Sequence, residues 1–178
     1  ALFWAVGGLA INGIGRRFAG FWVGLTALAF YFFLPFSVIA TRSFQPDPWM
    51  VMWVLLTAWA SLRWSESGSW KWAMLTGLAG GMTMLVKTFA AFFVGPILLA
   101  VVIQTLGVKR FLRSAQVWAM AGISLAPTVI YLLANSQRSS DFFSFWVVSL
   151  SGMILTTNFY ADWLAMIKGF MSLGTTLA

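Results

Sequence analysis

Residues 19–40, AGFWVGLTALAFYFFLPFSVIA, and residues 49–64, WMVMWVLLTAWASLRW, are two apolar runs separated only by TRSFQPDP, Thr41 to Pro48. The first run exceeds the roughly 20 residues needed to span a bilayer core, and the second reaches the lower limit of about 17 once Pro48 is counted. The two are expected to form a helical hairpin across a membrane. Holding an arginine and an aspartate, Arg42 and Asp47, in the gap between such helices is costly. The gap is therefore a candidate buried polar site rather than a solubilising surface.

Composition extends this reading to the whole chain. Of the 178 residues 61% are hydrophobic and 8% charged, and the mean hydropathy is +0.88. An ordinary globular domain carries about 25% charged residues, so the fold class is all-α, a polytopic transmembrane helical bundle. With no cysteine, a disulfide framework and thiolate catalysis are excluded. The absence of histidine removes the commonest metal ligand and the usual general base, so no metal site and no cofactor is read from these residues. The net charge of +7 does not point to nucleic acid, because the bases are scattered singly or in small groups between apolar spans. The bilayer is the partner this pattern implies.

Outward from the hairpin, Ala1 to Ile11 is apolar but short, and reads as the tail of a truncated helix. The chain as a whole reads as an internal piece of a larger protein, residues 1–178 forming part of one integral-membrane domain. After a turn at Ser65-Glu66-Ser67-Gly68-Ser69, the apolar stretch from Trp70 to Leu106 is too long for one helix. It divides at Lys87 into Trp70–Val86 and Phe89–Leu106. The basic link Lys109-Arg110-Phe111-Leu112-Arg113 precedes a span over Ser114–Ala134, which Pro127 is expected to break. Asn135–Asp141 reads as a polar loop, Phe142–Leu155 as a short spanning or interfacial helix, and a further helix is expected from Asp162. The sum is about six to seven membrane segments.

Assigning alternate loops to opposite sides gives one side Arg16, Arg17, Arg63, Lys71, Lys109, Arg110 and Arg113, seven of the 11 basic residues. Arg42, Lys87, Arg138 and Lys168 fall to the other. The positive-inside rule makes the first side cytoplasmic. Asp47, Asp141 and Asp162 then lie outward, so acid and base gather on the external face.

Three features in order carry a family resemblance: the gap Arg42 to Asp47 opening a helix, the tryptophan-flanked turn Trp64 to Trp70, and Gly77-Leu78-Ala79-Gly80-Gly81-Met82-Thr83-Met84-Leu85-Val86-Lys87 leading into another span. Together they resemble the membrane core of the bacterial family 39 glycosyltransferases, relatives of the protein O-mannosyltransferases and lipid A aminoarabinose transferases, with the GT-C fold. The resemblance runs over Ile11–Ala134 and loosely on through Phe142–Trp163. It implies transfer of a sugar from a polyprenyl-phosphate donor to a lipid, glycan or protein acceptor at the outer face of the cytoplasmic membrane. It also implies that the acidic residue which activates the acceptor in this family lies in a loop preceding Ala1, so that these residues alone would not catalyse transfer.

Physical chemistry gives roles to the charges in the gap. Transfer from a sugar phosphodiester expels a phosphate, and fixed cations aimed at the leaving oxygens stabilise it in a water-poor site. Arg42 and Lys87 are the cationic candidates and Gln45 a hydrogen-bonding one, all three as substrate-binding residues. Asp47 could orient the acceptor, hold Arg42, or serve as a secondary base. Each has a plainer reading: Asp47 as N-cap with Pro48 at the first helical position, Arg42 and Lys87 as snorkelling side chains, and Gln45 as ordinary loop polarity. Arg138 and Asp141 read as a solvated loop. The Gly20-x-x-x-Gly24 and Gly77-x-x-x-Gly81 spacings read as close helix packing, and Trp49, Trp64, Trp70 and Trp72 as interfacial anchors. The alternative functions are a segment of a polytopic transporter or lipid flippase, with Pro35, Pro96 and Pro127 as kinks, or a non-catalytic membrane subunit. A transporter should carry charges near the middle of its spans, whereas here they are expected at span ends.

Overall fold

The computed structural model describes residues 2–34, 46–135, 144 and 156–175. Among the described residues the chain is helical without strands. The helices are α1 Leu2–Phe33, α2 Asp47–Ser67, α3 Trp70–Val86, α4 Ala91–Leu106, α5 Val108–Phe111, α6 Ala115–Ala134 and α7 Thr157–Thr175, with a 3-10 turn Thr88–Ala90 leading into α4. Thr88–Leu106 and Ala115–Ala134 are each long and apolar enough to cross a membrane. The chain divides into two compact units, Ala1–Tyr131 and Leu132–Ala178.

In the first unit α1 is two arms folded on each other. The helix runs past Ile11, where the sequence suggested an end, and breaks at Ala19 and Gly20, whose φ of +84° suits only glycine. Glycine also lets the arms touch, because a methyl group on Gly15 would lie 2.9 Å from the Gly24 Cα. Gly7 meets Tyr31 while Gly15 meets Gly24, so the arms run antiparallel. The close-packing reading of Gly24 holds, whereas Gly20 serves the reversal itself.

Helix α2 is central and packs against α1, α3 and α4. Its interface stripe is small and polar: Thr57, Ala60 and Ser61 face inward with Trp64, opposite Ala73, Thr76, Gly80 and Thr83 in the buried stripe of α3. The buried hydroxyls return to their own helices, Thr57 donating to the Trp53 carbonyl at 2.7 Å and Thr76 to that of Trp72 at 2.7 Å. Each is satisfied without a gap in the interface. Large apolar side chains point the other way, Leu78 of α3 being 54% exposed and Phe33 of α1 and Phe92 of α4 each 81%. Small residues inside and large ones outside is the arrangement of helices that pack in lipid, where apolar surface gains nothing from burial.

Helix α3 continues this packing against α6. A methyl group on Gly77 would lie 2.9 Å from Ile123 Cβ, and one on Gly81 would lie 3.0 Å from the Ile123 carbonyl oxygen. Ser124 Oγ donates across to the Gly77 carbonyl at 3.2 Å. Pro127 does not break α6, contrary to expectation. Its missing N–H frees the Ile123 carbonyl, and glycine at position 81 leaves room for the neighbouring backbone to lie against that carbonyl. Packing thus holds the helix through the proline.

Two further expectations are corrected. Trp64 is not an interfacial anchor but a core residue, 2% exposed, packed with Ala73, Val102 and Met120. Its indole goes inside because Nε1 donates to Gln116 Oε1 at 2.8 Å, while Gln116 Nε2 donates to the Gly68 carbonyl at 2.7 Å. Exposed Trp70 fits the anchor reading. In the second unit α7 begins at Thr157 rather than Asp162, so Asp162 and Lys168 lie within the helix instead of at its end. Thr156-Thr157-Asn158 supplies residues suited to starting a helix earlier. The expected helix over Phe142–Leu155 lies outside the described residues except for Ser144.

Candidate functional site

The antiparallel pairing of α2 and α3 places the start of one beside the end of the other. Pro46, not Asp47, is the N-cap of α2; Asp47 and Pro48 occupy its first two positions, and no side chain caps the end. The capping role read for Asp47 is therefore not what its carboxylate does. Lys87 terminates α3 in an extended conformation, φ −146° and ψ +114°, which separates that helix from the turn into α4. From there its ammonium Nζ donates to Asp47 Oδ1.

Local electrostatics favour this pairing twice over, since an acid suits the positive N-terminus of α2 and a base the negative C-terminus of α3. The side chains are half-buried, 28% exposed for Lys87 and 35% for Asp47. The ammonium also lies 5.6 Å from the centre of the Phe89 ring. An ammonium has three N–H donors. The carboxylate fixes the position of Lys87 and leaves donors for a second anion, so the pair is suited to holding a phosphate oxygen. Arg42 and Gln45 lie outside the described residues, as do Arg138 and Asp141.

Sequence reading missed an aromatic cluster around the start of α2. Phe3 meets Trp49 edge-on at 4.2 Å, Trp4 stacks on Tyr31 at 4.3 Å, and Trp53 follows Trp49 at 6.2 Å. Trp4 Nε1, Tyr31 Oη and Trp53 Nε1 are buried without a hydrogen-bond partner among the described residues. The available signal was the recurrence of aromatics at the two helix starts; their meeting depends on the reversal at Gly20, which spacing alone does not reveal.

The opposite end of the hairpin carries a second charged group. Arg17 donates to the Leu62 carbonyl and, at 3.1 Å, to Ser65 Oγ, and lies 3.4 Å from Glu66. Arg63 pairs with the same carboxylate at 3.3 Å. At about 1.5 Å per residue the 21 residues of α2 measure about 30 Å, the thickness of a hydrocarbon core. One charged cluster thus lies at each end of a membrane-length helix.

These features fit a helical membrane protein with a polar site at one end of its core hairpin. A family model described as dolichyl-phosphate-mannose-protein mannosyltransferase matches residues 1–133. The chain belongs to that family, whose members are membrane-embedded glycosyltransferases using a polyprenyl-phosphate sugar donor. The match begins ahead of Ile11, so the first arm of α1 lies within it, and ends at residue 133, close to the start of the second unit. No curated protein and no solved structure matches the chain.

Proposed function

We propose that the chain forms part of an integral-membrane glycosyltransferase domain of about six to seven segments, with the GT-C fold of the family 39 or lipid A transferase type. In this reading it moves a sugar from a polyprenyl phosphate to a lipid, glycan or protein acceptor at the outer face of the cytoplasmic membrane. The observation that carries the proposal is the ion pair between Lys87 and Asp47 at the junction of two buried-stripe helices. Lys87, with Arg42, binds the donor phosphate and stabilises the charge that develops as the sugar leaves. Asp47 aims the ammonium and orients the acceptor, and Gln45 contributes a hydrogen bond to the substrate.

Two experiments test this reading on the full-length enzyme. Arg42→Ala should reduce transfer from polyprenyl-phosphate sugars far more than it reduces folded yield; equal losses would leave Arg42 with a structural role only. A cysteine at Ser43 should react with a membrane-impermeant thiol reagent from outside, and one at Ser67 should react only after the membrane is opened. The reverse pattern would place the site on the cytoplasmic face.

A further inference from the structure

The cluster opposite the Lys87–Asp47 pair borders a groove of about 670 Å³ between the first arm of α1 and α2. Its mouth holds three guanidiniums, Arg16, Arg17 and Arg63, against the single carboxylate of Glu66. The three are not equally committed. Arg17 is tied to Leu62, Ser65 and Glu66, and Arg63 to Glu66, with its guanidinium 5.7 Å from the Trp59 ring. Arg16 has no carboxylate partner among the described residues; it lies 5.2 Å from the Phe21 ring, and its stem passes beside Gly24.

Below the mouth the lining becomes apolar, through Leu9 and Leu56 to Val6. Ten residues of helix separate Val6 from Arg16, about 15 Å and so about half a hydrocarbon core. We infer that this groove binds one anionic phospholipid, its phosphodiester held by Arg16 and Arg63 at the mouth and an acyl chain lying along Leu9 and Val6. Charge and depth both select that occupant. The excess of guanidinium over carboxylate favours an anion, and a groove reaching the middle of the bilayer matches one leaflet. This site is separate from the proposed transfer site, because the two clusters lie at opposite ends of α2, and it does not depend on the transferase reading.

The test is native mass spectrometry of the full chain released from nanodiscs of phosphatidylglycerol or of phosphatidylcholine. One phosphatidylglycerol should remain bound, and phosphatidylcholine should not. Arg16→Gln keeps the methylene stem over Gly24 while removing the charge, and should lower retention about tenfold, the loss expected for a charge-assisted hydrogen bond. Arg63→Gln provides a second variant should the first fail to fold, with the same expected loss. Arg113→Gln, in the basic link outside the groove, should retain lipid like the unaltered chain. Inorganic phosphate at millimolar concentration should not displace the lipid. Equal retention of phosphatidylcholine, displacement by phosphate, or undiminished retention in the folded groove variants would overturn the assignment.

Discussion

The two ends of the α2–α3 hairpin contain similar charges joined in different ways. At the Arg17 end the cation is used up: its donors go to a backbone carbonyl, a serine and a carboxylate, all within the turn region of the hairpin. At the Lys87 end one ammonium meets one carboxylate, between residues 40 positions apart, and the backbone around Lys87 has left the helix. The first arrangement locks a turn. The second positions a charge with donors to spare, and the transfer site proposed above is built on that pair.

The contrast can be broken most forcefully at Lys87. Lys87→Ala should lower transfer by about a hundredfold, the scale of removing one fixed donor from a developing negative charge. Its melting temperature should change little, because partly exposed ion pairs contribute only about 0–1 kcal/mol. Transfer rates and thermal unfolding of the same purified enzyme decide the matter. A large fall in stability with normal turnover per folded molecule would make the two ends equivalent.

Asp47→Asn sharpens the same point with a smaller expected effect, about a tenfold loss of transfer as the charge-assisted bond to Lys87 becomes a neutral one. Asparagine and aspartate are comparable as N-caps, so a capping residue would tolerate the change. Full activity in Asp47→Asn would remove the carboxylate from the site.

Much of this arrangement was legible before the fold was known. Charge-poor composition gave the helical membrane class, and an apolar stretch too long for one helix and interrupted by Lys87 put the break at that residue. The gap Arg42 to Asp47 directed attention to α2, though the partner found for Asp47 is Lys87 and Arg42 lies outside the described residues. What could not be read depends on tertiary contacts. Trp64 looks like an anchor until Gln116, 52 positions later, supplies an acceptor for its indole. Pro127 looks like a break until Gly81 is seen against the carbonyl it frees. The turn after α2 was placed at Ser65, but the helix continues to Ser67 because Ser65 and Ser67 bond back to the Leu62 and Arg63 carbonyls at 2.7 and 2.9 Å. Gly68, with φ +60°, then ends it in a left-handed turn.

Predictions at the other end concern stability instead of turnover. Arg17→Ala removes the charged donor to the Leu62 carbonyl and, because the contact is open to solvent, should destabilise the chain by about 1 kcal/mol. Transfer per folded molecule should be unchanged. Denaturation in a fixed detergent, measured beside single-turnover transfer, separates the two quantities. A specific loss of turnover would mean that the turn-locking cluster communicates with the site at the far end of α2.

The smallest effect is expected at Glu66, where two arginines share one carboxylate. Its side chain is 42% exposed and its partners lie 3.3 and 3.4 Å away, so solvent screens both interactions. Glu66→Gln should cost about 0.5 kcal/mol, near the middle of the range for exposed pairs, and less as salt is raised. Arg17 would keep the Leu62 carbonyl and Ser65, so the turn should persist without the carboxylate. The same substitution leaves three guanidiniums unopposed at the groove mouth, and retention of an anionic phospholipid should rise as stability falls slightly. Opposite signs for the two measurements would separate the role of Glu66 in locking the turn from its role in limiting the positive charge of the groove. A fall in both would mean that Glu66 holds the groove open and that its charge is incidental.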